Sequence, residues 1–414
     1  MSPPQASKLT PNVVAIVALV ASLFGMIFAL TSTFDFAAHL DRQIHDLHCS
    51  FIPGMSAKAT GAEGCKTALF SAYSSLFRTQ IWGGIPISLF AVGAFAFFAA
   101  FAVYLLVAKD RVPKRAYLFL GTIGFTPLVV SLVMFLISLF ELGSFCKVCI
   151  GLYLSSIALA VAAYGGIRLA FRSGSSEGVR VGGPLLAPAL LTALATMTFV
   201  PAWVYASSVP NYDSLVTKCG KLEVKEESHK ALLHLPTKNP IKPALLFEDP
   251  LCPTCKAVHE RLVSDGVFEK LDVTLSFFPL DSECNWMLSD ALHPGACFVS
   301  RALICSGNKL RANLEWVYSE QEQLRLLSIP DAAGKSDLKK MKERVLTHFG
   351  SDVASCVDDK ATVQKLNHQL HFASKNKIAV STPQIFLGDQ RLCDEDSDLG
   401  LMFALSKLAP EVLR

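Results

Sequence analysis

Five segments in the first half of this 414-residue chain are each long and apolar enough to cross a lipid bilayer: Val13 to Thr33, Ile81 to Ala108, Ala116 to Phe140, Phe145 to Phe171 and Pro184 to Ser207. A helix rises about 1.5 Å per residue, so about 20 apolar residues span the hydrocarbon layer. Lipid offers no partner to a backbone N–H or C=O, which leaves packed helices as the way such segments fold. Their weight raises the mean hydropathy to +0.40, too high for an ordinary soluble protein of this length. The run from Val13 to Phe34 is too long for the apolar part of a cleavable signal and lacks a small-x-small cleavage site, so it reads as an anchor.

Charges lie at or near the ends of these segments. The loop from 109 to 115 (KDRVPKR) carries four basic residues, and the loop from 167 to 183 carries Arg168, Arg172 and Arg180. Basic short loops stay in the cytoplasm, which predicts a cytoplasmic N-terminus, an external loop from about 34 to 80, and an external second half. That external loop balances four acidic against four basic residues. Trp82, Trp203 and Tyr205 stand near predicted outer span ends, where such rings serve either as interfacial anchors or as packing between helices. A net charge of +3, with the basic residues of the first half in short loops, does not suggest nucleic acid.

After a short linker, Ser208 to Asp213, the pattern turns mixed and globular. A strand is predicted over Ala244 to Glu248, running into Asp249-Pro250-Leu251-Cys252-Pro253-Thr254-Cys255 and a helical stretch to about Val263. Val273 to Leu280 reads as a second strand, and residues 287 to 373 carry helical spacing. Thr382-Pro383-Gln384-Ile385-Phe386-Leu387 returns to strand character, with a hairpin at Gly388-Asp389 and a last helix from about Asp398 to Leu408. The domain reading is thus 1–207 in the membrane, 208–213 as linker and 214–414 as a globular α/β domain.

Twelve cysteines suit an oxidising compartment better than the cytosol. A Cys-x-x-Cys opening a helix has its first thiol acidified by the helix N-terminus, from about 8.5 toward roughly 3.5 to 7, so Cys252 is the candidate attacking thiolate and Cys255 the resolving thiol. The alternative for a lone Cys-x-x-Cys is a zinc site. The order strand, CPTC, helix resembles the thioredoxin fold, and Thr382-Pro383 matches that family's cis-proline position. The helical stretch between them resembles the periplasmic disulfide-oxidant branch. Of the remaining soluble cysteines, Cys219, Cys284, Cys297, Cys305, Cys356 and Cys393, fifteen pairings are conceivable; Cys284 with Cys297 is favoured because His293-Pro294-Gly295 can turn the chain between them. His259, one turn beyond Cys255, either tunes a thiol or is a solvated helix residue.

Cys146-Lys147-Val148-Cys149 lies at the lip of an apolar span, where a dithiol can hand two electrons to a membrane carrier. With Cys49 and Cys65 in the loop before span two, with Gly64-Cys65 followed by Ser71, and with Gly84-Ile85-Pro86 entering that span, the first half resembles the vitamin K epoxide reductase family. Bacterial members with a fused C-terminal thioredoxin domain have five spans, as here. Two departures are the wide spacing of Cys49 and Cys65 and a shifted stretch from Phe77 to Trp82, so that Ser74 or Ser75 can stand in for Ser71.

The resemblance implies a relay. Cys252 and Cys255 take electrons from substrate thiols of envelope proteins and pass them to Cys49, Cys65 relays them to Cys146, and Cys149 faces a quinone, ubiquinone or menaquinone, with no metal involved. Ser71 would be the hydroxyl near that quinone, and is equally readable as a helix-capping residue. Phe145 and Tyr153 flank the motif as anchors or packing. The implied protein is an inner-membrane thiol oxidase. Two other readings are an electron-exporting reductase, since direction is set by potential, and a tethered thioredoxin-fold chaperone with structural cysteines.

Overall fold

The computed structural model describes residues 10–43, 45, 47–51, 63–143, 145–172, 183–329 and 336–414. Arg180, used above to orient a loop, lies outside them. The chain divides into two compact units, residues 1–210 and 211–414.

The first unit is helical. In chain order it contains α1 (Pro11–Ala38), α2 (Glu63–Leu69), strands β1 (Ser75–Leu76) and β2 (Ile85–Pro86), then α3 (Ile87–Ala108), α4 (Lys114–Ile123), α5 (Thr126–Phe140), α6 (Lys147–Arg172) and α7 (Leu186–Ser208). Among the described residues, five spans are long and apolar enough to cross a membrane, α4 and α5 together making the third. Helix α1 packs against α3 and α6, α4 and α5 pack on α6, and α7 packs on α3. Phe97, Phe98, Phe101 and Phe119 form an interlocked aromatic core between α3 and α4. The outward faces stay apolar, with Val129, Leu132, Phe199 and Trp203 exposed, as a lipid-facing surface requires.

Two expectations are corrected here, and one open pair of readings is resolved. Span two begins at Ile87, not Ile81, because β1 and β2 pair antiparallel, Ser75 opposite Pro86. The hairpin turns at Gly84, whose φ of +77° suits glycine and whose Cβ would lie 2.5 Å from the Leu76 carbonyl oxygen. Span three is not one continuous helix: it breaks at Gly124-Phe125, and Pro127 sits in the first turn of α5, where its missing N–H costs nothing. Trp82 is 1% exposed, so it is packed inside the unit and is no interfacial anchor.

The second unit contains α8 (Asp213–Val216), β3 (Leu233–Leu235), β4 (Lys242–Glu248), α9 (Pro253–Ser264), β5 (Leu271–Phe277), α10 (Ala296–Ile304), α11 (Leu310–Ser328), α12 (Leu338–Phe349), α13 (Ser351–Cys356), α14 (Lys360–Lys375), β6 (Gln384–Leu387), β7 (Gln390–Arg391) and α15 (Leu401–Leu408). Its five-stranded mixed sheet has the order β3-β5-β4-β6-β7, with β4 and β5 parallel and the other pairs antiparallel. The parallel pair is joined through α9 as a βαβ crossover; the apolar run Ala244 to Phe247 of β4 is buried, and in β5 the buried Leu271, Val273, Leu275 and Phe277 alternate with Asp272, Thr274 and Ser276. The helical stretch expected from 287 starts only at Ala296, since Asn285 and His293 hold the intervening chain in turns. The second strand ends at Phe277, before Leu280. The last helix starts at Leu401, and residues 394–396 form a single 3-10 turn.

Disulfides join Cys219 to Cys393, Cys284 to Cys297 and Cys305 to Cys356. The second is the pair the turn at His293-Pro294-Gly295 predicted. The third ties the end of α10 to the end of α13 across a separation of 51 residues. Its removal in a Cys305→Ser, Cys356→Ser variant is expected to cost roughly 2–4 kcal/mol through the gain in unfolded-state freedom. The urea midpoint followed by the fluorescence of Trp286 and Trp316 should fall accordingly, without loss of the thiol reactivity of Cys252.

Candidate functional site

In the first unit the chain brings four cysteines to one end of the bundle. Cys49 and Cys65 form a disulfide, with Cα atoms 5.8 Å apart, while Cys146 and Cys149 are free thiols. Cys146 ends the loop before α6 and Cys149 sits in the first turn, where its N–H donates to Cys146 Sγ at 3.3 Å. The loop pair reaches this turn through a contact only glycine permits: a Cβ at Gly64 would lie 2.3 Å from the carbonyl oxygen of Phe145. The residue before Cys65 therefore rests on the residue before Cys146.

Behind these sulfurs lies a mostly apolar cavity of about 330 Å³ bordered by Cys65, Cys146 and Cys149. Its walls come from α1, α3, α5 and α6, and Ser131 donates to Ser156 across it at 2.8 Å. Ser71 lines the cavity, and its Oγ donates to the Ala68 carbonyl at 2.8 Å, at the end of α2. Ser71 thus stands just past the end of α2 and on the cavity wall. Ser74 also lines the cavity, whereas Ser75 does not and bonds the Gly83 carbonyl. Tyr153 borders the cavity; Phe145 does not, and stacks instead near Phe135. Asp35, a buried carboxylate near the end of α1, shares the same wall, and it accepts both the backbone N–H and the ring Nδ1 of His48, at 2.9 and 2.6 Å. The signal for it was an acidic residue one position beyond an apolar run, which a membrane helix seldom carries without a use.

The second unit holds the other dithiol. Cys252 caps α9, and the thiol of Cys255 one turn later is fully buried. Cys252 Sγ lies 3.5 Å from the Thr382 carbonyl oxygen, ahead of a cis Thr382–Pro383 bond. Its pKa is lowered to about 6, first by the hydrogen bond from Cys255, against an opposing effect of burial, and then by Thr382. The neighbouring thiol therefore leads, where the helix N-terminus alone was expected to act. Cys255 is pushed well above the usual thiol range by burial and by the charges of Cys252 and Glu248.

Several residues that shape this site were not singled out from sequence. Glu248, at the buried end of β4, accepts from the Tyr318 hydroxyl at 3.0 Å, and burial lifts its pKa to about 7. Asp249 is fully buried, accepts the N–H groups of Leu251 and Leu280, and pairs with His293 Nδ1 at 2.8 Å. Burial opposes charge on His293, but Asp249 and the sulfur of Cys252 raise its pKa overall. From the helical insertion, Gln321 donates to the carbonyls of Pro250 and Cys252, both at 3.0 Å. The available signal was the charged pair Glu248-Asp249 closing an apolar strand before the CPTC. His259, read as tuning a thiol or solvated, is buried against Phe268 and Tyr318, and burial depresses its pKa to about 4.

Among the described residues, the clusters of His, Cys, Asp or Glu close enough to share an ion are Cys219/Cys393/Glu395, whose sulfurs are bonded to each other, and Glu227/His229/His368. Neither contains a Cys-x-x-Cys. The acidity of Cys252 gives a direct test: iodoacetamide labelling of Cys252 in the reduced full chain should be half-maximal near pH 6 and fall below it as the thiolate is protonated. An ordinary thiol would show its midpoint near about 8.5. Cys255 should stay unlabelled in the folded chain throughout, as peptide mapping would report.

Comparison with known proteins adds one finding. No curated protein and no solved structure matches the chain, but residues 16–164, which carry Cys49, Cys65, Cys146 and Cys149, match the vitamin K epoxide reductase family, so the first unit contains a domain of that family.

Proposed function

We propose that the protein is a quinone-linked membrane thiol oxidase that supports disulfide formation in envelope proteins. The family domain implies membrane thiol–disulfide chemistry; the finer reading rests chiefly on one observation, a single cavity bordered by a cysteine of the loop disulfide and by both cysteines of the CKVC. In the relay, substrate thiols reduce the Cys252–Cys255 disulfide, Cys252 passes the electron pair to Cys49, Cys65 to Cys146, and Cys149 delivers it at the cavity. A quinone accepts two electrons and two protons. The apolar walls with Ser71, Ser131 and Ser156 suit its flat ring and its carbonyl oxygens, as few polar groups in an apolar pocket commonly do.

The soluble unit, assigned as residues 214–414 after a linker at 208–213 and a membrane domain at 1–207, is read as thioredoxin-like. The parallel β4-α9-β5 unit with its CPTC, the cis-proline beside Cys252 and the inserted helices support this. Loop charges support an inner-membrane protein with a cytoplasmic N-terminus and an external soluble unit. The acidity of Cys252 favours the oxidising direction, because a stabilised thiolate makes the corresponding disulfide easier to reduce.

Two experiments test the reading. Purified Cys149→Ala protein supplied with reduced substrate and a ubiquinone or menaquinone analogue should lose quinone reduction by at least about a hundredfold, followed by quinone absorbance. A normal rate would remove the membrane half of the relay. The second concerns Gly64: a Gly64→Ala side chain would drive Cys65 away from Cys146, since one of two backbones in contact has to move. Electron transfer between those sulfurs should slow by roughly tenfold or more, as displacements near 1 Å from reacting geometry do. Acid-quenched alkylation would then show the loop pair held reduced while Cys146–Cys149 stays oxidised.

A further inference from the structure

The carboxylate of Asp35 has no part in the relay as described, yet it is among the most costly groups in the first unit to keep. It is 7% exposed, lies within the first span, and an ionisable group at such a depth is retained for a partner or a function. Its partner is His48, whose backbone N–H and ring Nδ1 both bond to it. His48 immediately precedes Cys49, and its ring is 31% exposed. On the other side, Asp35 borders the same cavity as Cys65 and Cys146, and its charge acts on the Cys146 sulfur. One hydrogen-bonded pair thus reaches from the residue beside one loop cysteine to the wall shared by the cavity thiol.

We infer that Asp35 and His48 form a proton shuttle that carries a proton from Cys49 to Cys146 as the electron pair moves between them. The inference rests on the relay proposed above. The step starts from the mixed disulfide between Cys65 and Cys146. The Cys49 S–H bond breaks and its proton passes to the Asp35–His48 pair; the Cys49 thiolate attacks Cys65, so that a Cys49–Cys65 bond forms and the Cys65–Cys146 bond breaks. Cys146 leaves as a thiolate and takes a proton from Asp35, forming its S–H bond. One proton and one electron pair have moved, and no outside oxidant enters. Without the shuttle, a thiolate would be left bare at the edge of an apolar cavity, where a charge is expensive.

Among the described residues, the groups around Asp35 that can titrate are few. His39 contacts its backbone carbonyl through Nδ1 at 2.7 Å, and His48 holds the carboxylate. Asp41 and His45 pair with each other. Cys146 and Cys149 come from the α6 side, and α3, packed against α1, brings Ser88, which donates no charge and bonds Thr33. A pH dependence of the step therefore reports on His48, Asp35, His39 and the thiols themselves.

The test uses the full chain in lipid nanodiscs, as wild type, Asp35→Asn and Asp35→Glu, reduced with a dithiol and quenched with acid at intervals between pH 5.5 and 8.5. Peptide mapping quantifies the Cys65–Cys146 link, and alkylation rates of Cys146 in the fully reduced chain are read in parallel. Asp35→Asn keeps a hydrogen-bond acceptor for His48 but cannot carry the proton. It should accumulate the Cys65–Cys146 link about tenfold or more over wild type, the lower end of what a positioned acid or base contributes. It should do so although Cys146, freed of a neighbouring negative charge, alkylates at lower pH than in wild type. Asp35→Glu should restore resolution with a displaced pH profile. The inference is overturned if Asp35→Asn resolves the link at the wild-type rate at every pH, or if Asp35→Asn and Asp35→Glu fail alike and lose the Cys49–Cys65 bond, which marks a role confined to holding the loop. If wild type itself passes no electrons from the loop pair to Cys146, the relay fails, and the shuttle falls with it; that result appears in wild type alone and is not confused with the others.

Discussion

An electron pair moves between two dithiols only when one sulfur touches another along the line of the bond being broken. In the first unit it is backbone, not side chains, that sets how closely the two dithiols approach: the peptide of Gly64 lies against the carbonyl of Phe145, and each of these residues precedes a cysteine. Everything around the contact follows from holding it in place. The hairpin of β1 and β2 returns the loop to the start of α3, the packed Trp82 fixes that return, and the Cys49–Cys65 bond closes the loop on the helix that carries Asp35. The long apolar helices then act as a frame whose outward faces suit lipid and whose inward end is cut away to leave a cavity.

The second unit solves a different difficulty with the same element. Its two thiols are one helical turn apart, yet one is acidic and the other is not, because Cys252 collects hydrogen bonds at the rim while Cys255 is sealed among Glu248, Tyr318 and the sheet. The helical insertion is part of this division. Tyr318 and Gln321 both come from α11, one holding the buried carboxylate beneath the dithiol and the other holding the carbonyls of the loop above it. Asp249 and His293 complete the rim from the far side of the strand.

Much of this was legible in the residues before any coordinates. The spans, the two Cys-x-x-Cys motifs and the βαβ unit follow from hydrophobic runs and from the position of CPTC after ALLFE, since long runs and strand-to-helix switches are local properties. What stayed hidden was set by distant partners. Nothing in the stretch 77 to 86 announces that a two-residue strand pairs there and displaces the start of span two to Ile87. Trp82 reads equally as an interfacial ring or as packing until the fold covers it, and His259 looked able to tune a thiol or to face solvent until α11 and Phe268 close over it. Asp35 finds His48 thirteen residues on, and Gln321 finds Cys252 across 69 residues; neither spacing has a periodicity to read.

The three bonds within the soluble unit, Cys219–Cys393, Cys284–Cys297 and Cys305–Cys356, carry a consequence for how such a molecule comes into being. Under the proposed function, a catalyst that makes disulfides for other chains, and is itself closed by three of them, needs its own product before it is complete. Each newly made copy would then be finished either by copies that came before it or by its own Cys252–Cys255 pair in the disulfide form, which takes up the two electrons that each new bond releases. In the first case the folded state is handed down from one generation of molecules to the next, like a template, and a cell that lost its last mature copy would be slow to regain the first.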